Sequence, residues 1–328
     1  MSYGDAKMKR KDFKSLVSQL NLLTYSQKQK LIKELTPNAE NESIELIESY
    51  DKSCNSCPHC RSKKLHKWGK ANGLQRYRCR LCSKTFNGLT DTSLSKLQHK
   101  EKWLIYAQCM AEGKSIRQSG KICQIDPKTA FRWRHRFLSP MAKNESTKMT
   151  GIVEADETFF SENCKGSREI KHRKPKKRGA STKKLLGERI PVLIIRDRTG
   201  TEADFVFLQI EKEAIHNSLR PLMGEEIVLC TDGNSIYETF AKEEKILHKR
   251  IVSLDGIRVV EEIFHIQNLN AYISRLKSWI RQFHGVATKY LENYLGWRRT
   301  IEMKNVKVSA KFYLQRALRK NYQQVMQT

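Results

Sequence analysis

The sequence predicts a multidomain chain: an α+β core, with a mixed sheet flanked by helices, preceded by a zinc ribbon and a helix-turn-helix. Three observations carry this. Two Cys-x-x-Cys knuckles, Cys57 with Cys60 and Cys79 with Cys82, enclose eighteen residues. A helix-patterned stretch rich in Arg follows them. From Gly151 the pattern changes to β-branched and aromatic runs separated by turn residues. The 328 residues are enough for two or three domains. We divide them into a helical arm and linker (1–50), the ribbon (51–95), the helix-turn-helix (96–148), the α+β domain (149–300) with a basic loop at 165–184, and a C-terminal helical tail (301–328).

Composition narrows the partners. With 62 Lys+Arg against 35 Asp+Glu the formal charge is +27, which calls for a polyanion. No apolar run approaches the roughly 20 residues of a membrane span, and MSYGDAKMKRKDFK lacks the apolar segment of a signal peptide. A soluble intracellular protein with no membrane partner is expected. In a reducing compartment nine clustered cysteines point to metal rather than to disulfides.

The arm reads as a helical pair, with Phe13, Leu16, Val17 and Leu20 at helical spacing and a Thr24/Gln27 capping box before Leu31, Ile32 and Leu35. Residues 38–53 are acidic and polar and read as a linker. In the ribbon, four thiolates fit tetrahedral zinc with no open position for water, a structural site. Cys54 competes with this set, but CPHC and CRLC are knuckles of equal length and leave room for a hairpin. Beyond the ribbon, Gly113 breaks one helix, Ser115 with Gln118 caps a second, and Asp126-Pro127 opens a third. The third carries Lys128, Arg132, Arg134 and Arg136 around Ala130, Trp133 and Phe137, which reads as the DNA-contacting helix of a helix-turn-helix. A plain three-helix packing unit is the alternative.

In the α+β region GIVEADETFF delivers Asp156, IPVLIIRDRTGTEADFVFLQI reads as a hairpin turning at Asp197 to Gly200, and EEIVLC ends at Asp232. Between the first run and the hairpin, residues 165–184 hold ten Lys or Arg and one Glu. Like-charge repulsion makes this a loop, ordered on nucleic acid, and Arg173, Lys174, Lys176, Lys177 and Arg178 are its candidate DNA contacts. Farther on, Leu269, Ile273, Leu276, Ile280 and Phe283 make a buried helical stripe, flanked by a polar one of Asn270, Ser274, Lys277 and Arg281. Asn270 and Lys277 are two turns apart, about 10 Å. Either Asp alone is equally a turn former, and the Lys equally a solvated residue. Together, two strand-end carboxylates and a polar helix face are what a divalent-metal phosphoryl-transfer site needs.

Cys57 to Phe86, the DETFF block, the basic loop, IPVLIIRDRTG, TDG and above all HIQNLNAYISRLKSWIRQFHGVATKYLENYLGWRR resemble the zinc-ribbon insertion-sequence transposases with an ISXO-type DDE domain, over about residues 54–300. The resemblance implies an RNase H-like catalytic core and Mg²⁺- or Mn²⁺-dependent cleavage and strand transfer at the ends of a mobile element. It also implies double-stranded DNA as partner, both terminal inverted repeats and target. The chain is then expected to act as a homodimer or larger synaptic assembly, cytoplasmic and nucleoid-associated. In that family the third acidic position can be Asn followed seven residues later by Lys. Asp156, Asp232, Asn270 and Lys277 match. Asp156 would bridge two metal ions, Asp232 hold one, Asn270 offer a carbonyl oxygen to the other, and Lys277 hold a phosphate. Glu261 and Glu262 are fallback candidates for a third carboxylate. Phe159, where Tyr or Val often follows the Thr, and the extra Cys54 depart from the pattern. Two rivals remain: a catalytically inactive DNA-binding regulator, which leaves the Asp pair unexplained, and an RNase H-like structure-specific nuclease or resolvase, which shares the carboxylates.

Overall fold

A computed structural model of the chain describes residues 10–35, 42–49, 56–143, 148–170, 189–252, 259–303 and 308–319. Cys54 and the loop residues Arg173, Lys174, Lys176, Lys177 and Arg178 lie outside them.

The arm forms the expected helices α1 (Arg10–Gln19) and α2 (Tyr25–Leu35). The Thr24 amide donates to Gln27 Oε1 at 2.9 Å and the Gln27 amide to Thr24 Oγ1 at 3.3 Å, completing the capping box. Phe13, Leu16 and Val17 are exposed. The expected linker is in part a packed element, because residues 42–49 form a helix, α3. Its Leu46 and Ile47 are buried, and the Ser43 hydroxyl accepts from the Leu104 amide at 3.2 Å. The acidic residues between these positions face water, so composition concealed an apolar stripe.

The ribbon is a three-stranded antiparallel sheet of β1 (Leu65–Ala71), β2 (Leu74–Cys79) and β3 (Thr85–Asn87). Tyr77 stacks on Phe86 with ring centroids 5.7 Å apart.

Helices α4 (Trp103–Ala111), α5 (Ile116–Ile122) and α6 (Pro127–Ala142) follow, with both expected caps formed. The Ser115/Gln118 box is reciprocal, and Asp126 Oδ1 accepts from the Lys128 amide at 2.8 Å. Their core holds Trp103, Tyr106, Trp133 and Phe137, and it is completed by distant chain. Tyr294 and Trp297 of α10 (Leu291–Glu302) and Tyr313, Leu314 and Leu318 of α11 (Ala310–Leu318) are buried in it. The C-terminal residues expected as a tail are therefore partly core. At Gly296 a Cβ would sit 2.0 Å from the Met141 carbonyl oxygen, so only glycine lets α10 lie this close to α6.

The α+β domain is built on a five-stranded mixed sheet in the order β6-β5-β4-β7-β8. Its strands are β4 (Ile152–Ser161), β5 (Arg189–Asp197), β6 (Glu202–Val206), β7 (Val228–Thr231) and β8 (Leu247–Arg250). Strand β5 is antiparallel to both of its neighbours, β4 and β6, and β7 and β8 run parallel to β4. Taken in chain order this is a 3-2-1-4-5 sheet, which fits an RNase H-like core. The expected hairpin turns where Asp197 Oδ1 accepts from Thr199 Oγ1 and from the amides of Gly200 and Thr201, at 2.7 to 2.9 Å.

Helices cover both faces, which is why β5 is an unbroken apolar run. On one face Val153, Ala155, Leu193 and Ile195 pack with Ile215 and Leu219 of α7 (Lys212–Leu219) and with Tyr237 and Phe240 of α8 (Ser235–Glu243). On the other, Val192 and Ile194 meet Leu269, Tyr272, Ile273 and Leu276 of α9 (Gln267–Arg281) and Leu291 and Leu295 of α10. Of the expected stripe Leu269, Ile273 and Leu276 are buried, joined by Tyr272, while Ile280 is half-buried and Phe283 lies past the end of α9. Among the described residues no helix is long and apolar enough to cross a membrane.

Candidate metal centres and nucleic-acid surface

Sheet register explains how two aspartates seventy-six positions apart in sequence come together. The parallel pair β4 and β7 aligns Ile152 with Val228, Val153 with Leu229 and Glu154 with Cys230. Asp156 and Asp232 each lie two residues beyond the last of these pairs, so they come side by side where β7 ends. Asp232 follows its strand, but Asp156 is in the middle of β4, which runs on to Ser161 along β5, and its expected place at a strand end is corrected. Gly233 then takes a left-handed backbone, φ +95°, which turns the chain sharply into α8. The Asn234 amide donates to Asp232 Oδ1 at 3.2 Å, and the Asn234 side chain caps the helix.

A third carboxylate joins them. Oxygens of Asp156, Glu157 and Asp232 all lie within 4.8 Å of one another. Glu157 was not expected from the sequence, because adjacent residues of a strand face opposite ways; the DE pair within an otherwise apolar and aromatic run was the available signal. The Tyr237 hydroxyl, buried on the Glu157 side, and Glu157 Oε1 make no hydrogen bonds of normal geometry. Burial, reinforced by the neighbouring carboxylates Asp232 and Glu157, pushes Asp156 up to about 7, against the Glu157 amide, 2.8 Å from Asp156 Oδ1, and the opposing charge of Lys277. Burial and Asp232 also raise Glu157, against the pull of the Tyr237 hydroxyl. Three carboxylates this close repel unless a cation or protons sit among them, so the donor set fits a hard divalent ion.

Helix α9 brings the remaining candidates. Lys277 is half-buried and lines an open cleft of about 350 Å³ with Glu157, Thr158, Phe159, Ser161 and Arg189. Asn270 lies exposed in the first turn of α9, on the Lys277 side. Glu261 pairs with Lys249, and neither it nor Glu262 belongs to the carboxylate cluster.

In the ribbon the sulfurs of Cys57, Cys60, Cys79 and Cys82 lie within 4.8 Å of one another. Cys57 and Cys82 are 3.7 Å apart, Cys60 and Cys79 3.5 Å. The amides of His59 and Leu81 each donate to a knuckle sulfur at 3.4 Å. Amide donation from Cys82 and Leu81 lowers the Cys79 thiol to about 6. Four converging sulfurs with amides aimed at them fit a tetrahedral thiolate site.

On the nucleic-acid side, Lys128, Arg132 and Arg136 of α6 are exposed. Arg134 is not, and its expected role as a DNA contact is corrected. It is fully buried, donates to the Lys114 carbonyl at 2.8 Å and to Ser119 Oγ at 3.3 Å, and lies over the Trp297 ring at 4.7 Å. It follows Trp133 on the core side of α6, where α10 covers it, and so serves packing.

With the geometry in place, the family can be stated. Residues 148–299 match the model of the ISXO2-like transposase domain. A protein described as an uncharacterized protein in transposable element ISH50 of Halobacterium salinarum is 27% identical over 274 residues, which span 80% of this chain and 91% of the relative. The crystal structure of a pre-cleavage Mos1 transpososome matches 62% of this chain and 79% of its own at 8% identity, with a TM-score of 0.22. Residues 148–299 thus carry an ISXO2-like transposase domain, and together with the relative they support an insertion-sequence transposase of the ISXO type. The chain is a DNA transposase of an insertion sequence, an enzyme class that cleaves and transfers DNA strands.

Proposed function

We propose that this transposase cuts and joins the ends of its element at a divalent-metal site whose ligands are Asp156, Asp232 and Asn270, with Glu157 beside them. The observation that carries the reading is the convergence of three carboxylates where β7 ends beside the middle of β4, with the charge of Lys277 on α9 acting on Asp156. Mg²⁺ or Mn²⁺, when bound, supplies Lewis acidity for the attacking water or 3′-hydroxyl and for the leaving oxygen. The chain's own groups do the rest. Asp156, the most burdened carboxylate, has the most to gain from a cation. Asn270 offers a neutral oxygen, a weaker ligand than a third acid. Lys277 stands at the cleft mouth to hold a phosphate as a compact positive charge.

In the same reading the four ribbon cysteines hold zinc structurally, and α5 and α6 act as a helix-turn-helix presenting Lys128, Arg132 and Arg136 to the terminal inverted repeats. The basic loop, with Arg173, Lys174, Lys176, Lys177 and Arg178, grips backbone phosphates. The protein assembles as a homodimer or larger on paired ends and is cytoplasmic and nucleoid-associated. An inactive regulator has no use for the carboxylate convergence.

The test is cleavage of a labelled duplex taken from the DNA flanking this gene, across Mg²⁺ concentrations. Asp156→Ala and Asp232→Ala should abolish cutting while sparing end binding. Asn270→Ala should slow it severely, and Lys277→Ala should weaken it without changing the metal requirement. If Glu157→Gln is dead while Asn270→Ala cuts normally, Glu157 is the third ligand and Asn270 is not. Equal cutting of branched or hybrid substrates lacking the terminal sequences would favour a nuclease instead.

A further inference from the structure

We infer that Glu154 is a positioning residue for strand transfer: a buried carboxylate on β4 that fixes where α9 begins, and thereby sets Asn270 and Lys277 against Asp156. The inference rests on the reading above that these α9 residues belong to the site.

Helix α9 has no side-chain cap at its N-cap position, and its local acceptor is His265 Nδ1, which takes only the Gln267 amide at 3.2 Å. Its N-cap position is Ile266, which has no side chain able to accept from the orphan amides of the first turn. The missing acceptor comes from another element. Glu154 Oε2 accepts from the Leu269 amide at 2.8 Å, and Glu154 Oε1 accepts from Asn268 Nδ2 at 3.2 Å. The helix N-terminus is where a carboxylate is best received, since the first-turn amides and the helix dipole both favour negative charge.

Glu154 is almost wholly buried, 1% exposed, and an unpaired carboxylate there would be costly. Arg198, from the β5–β6 turn, answers it with an ion pair at 3.1 Å. The same guanidinium reaches His265 Nε2 at 3.0 Å and donates to the Ile263 carbonyl at 3.1 Å, so it also holds the segment that enters α9. One buried charge therefore joins β4, the hairpin turn and the start of α9.

Register makes this a matter for catalysis. Glu154 and Asp156 are two apart on one strand and share a face. Leu269, which Glu154 holds, immediately precedes Asn270, and Lys277 follows two turns later. The apolar stripe of α9 fixes which side of the helix meets the sheet. Its dispersion contacts are non-directional, whereas the hydrogen bonds to Glu154 are directional and set where along the strand the helix begins. Glu154→Gln keeps the shape but offers one acceptor oxygen and, facing either the Leu269 amide or the Arg198 and Asn268 donors, an amide NH2 that can only donate.

The prediction is that Glu154→Gln slows single-turnover cleavage of the element-end duplex by about 10- to 100-fold, the range expected for slight misplacement of reacting groups. Affinity for the duplex should be unchanged. By exchange mass spectrometry, amides at the start of α9 should exchange faster while the buried middle of the helix does not. A structural defect would multiply with loss of the α9 residues, whereas a positioning defect disappears once they are gone. In an Asn270→Ala/Lys277→Ala background Glu154→Gln should therefore cost no more than about twofold. Should Glu154→Gln fail to fold, Asn268→Ala removes a single donor from an exposed side chain, and several-fold slower cleavage with the same local exchange change is expected. Unchanged cleavage in these variants, or full multiplication of the defects, overturns the inference. If Asn270→Ala and Lys277→Ala are themselves fully active, the reading of the site has failed, which the single variants reveal independently.

Discussion

Asp156→Asn should make the magnesium-free protein more stable near neutral pH, because the carboxylate it removes is held there at a cost. The group rises from an ordinary 3.8 to about 7 on folding, through burial and the carboxylates of Asp232 and Glu157. The sign follows from proton linkage. Below pH 4 the acid is protonated in both states and contributes nothing. As pH climbs from about 4 to 7 the unfolded chain ionises it while the folded chain does not, so stability falls across that window and levels off above it. At about 1.36 kcal/mol per unit, a rise of about three units corresponds to a penalty on the order of 4 kcal/mol. For a folding unit of this size that is on the order of 10 °C in Tm. The assay is scanning calorimetry from pH 5 to 8 in metal-free buffer without chelator, so that a loaded ribbon is left alone. Wild type should lose stability with rising pH and Asp156→Asn much less. Mg²⁺ at a hundred times its Kd should return about 2.7 kcal/mol to wild type and little to the variant. Parallel pH profiles for the two proteins would refute the electrostatic account of the site.

If the ribbon holds zinc, metal analysis of freshly purified protein should find about one zinc per chain. Cys79→Ser should lose it together with the ribbon fold, and Cys54→Ser should not. Affinity for DNA should fall steeply with salt, and deleting residues 168–184 should flatten the slope of log affinity against log salt; an unchanged slope removes the basic loop from the interface. Arg134→Met should destabilise the protein by about 2 to 4 kcal/mol through lost hydrogen bonds and stacking, read by urea unfolding, without altering the salt slope. Arg132→Ala should show the opposite pair of effects, reduced slope and unchanged stability, and a reversal of the two would put Arg134 back among the DNA contacts.

The features legible in sequence were those whose cause is local. Ser115 with Gln118 and Asp126 with Pro127 marked their helix starts because a cap needs only its own first turn. The stripe on α9 could be projected because one face of one helix meets one sheet. The four cysteines needed only their spacing. What escaped depended on distant chain. The side of α6 that is covered is decided by α10, more than 150 positions later, and nothing near Arg134 separates it from Arg132. Residues 42–49 looked like a linker because Glu outnumbers the apolar residues that matter. Glu154 reads as one more residue of a strand until the helix it caps is placed beside it.

Helix α10 runs across residue 300, where the sequence suggested a boundary. Helix α10 is shared between two cores, with Leu291 and Leu295 packed on the catalytic sheet beside α9, and Tyr294 and Trp297 packed among α4, α6 and α11. Arg299 strengthens the join, donating to the carbonyls of Met141 and Lys143 at 2.9 and 3.0 Å while pairing with Asp204 of β6. A helix that presents Lys128, Arg132 and Arg136 is therefore held to the carboxylate cluster by packed interior, not by a linker. Interiors at native density resist small displacements. If α6 holds the terminal repeat and the carboxylate cluster holds the metal, as proposed above, the distance between the repeat and the cleaved phosphate is set by the packing of α10.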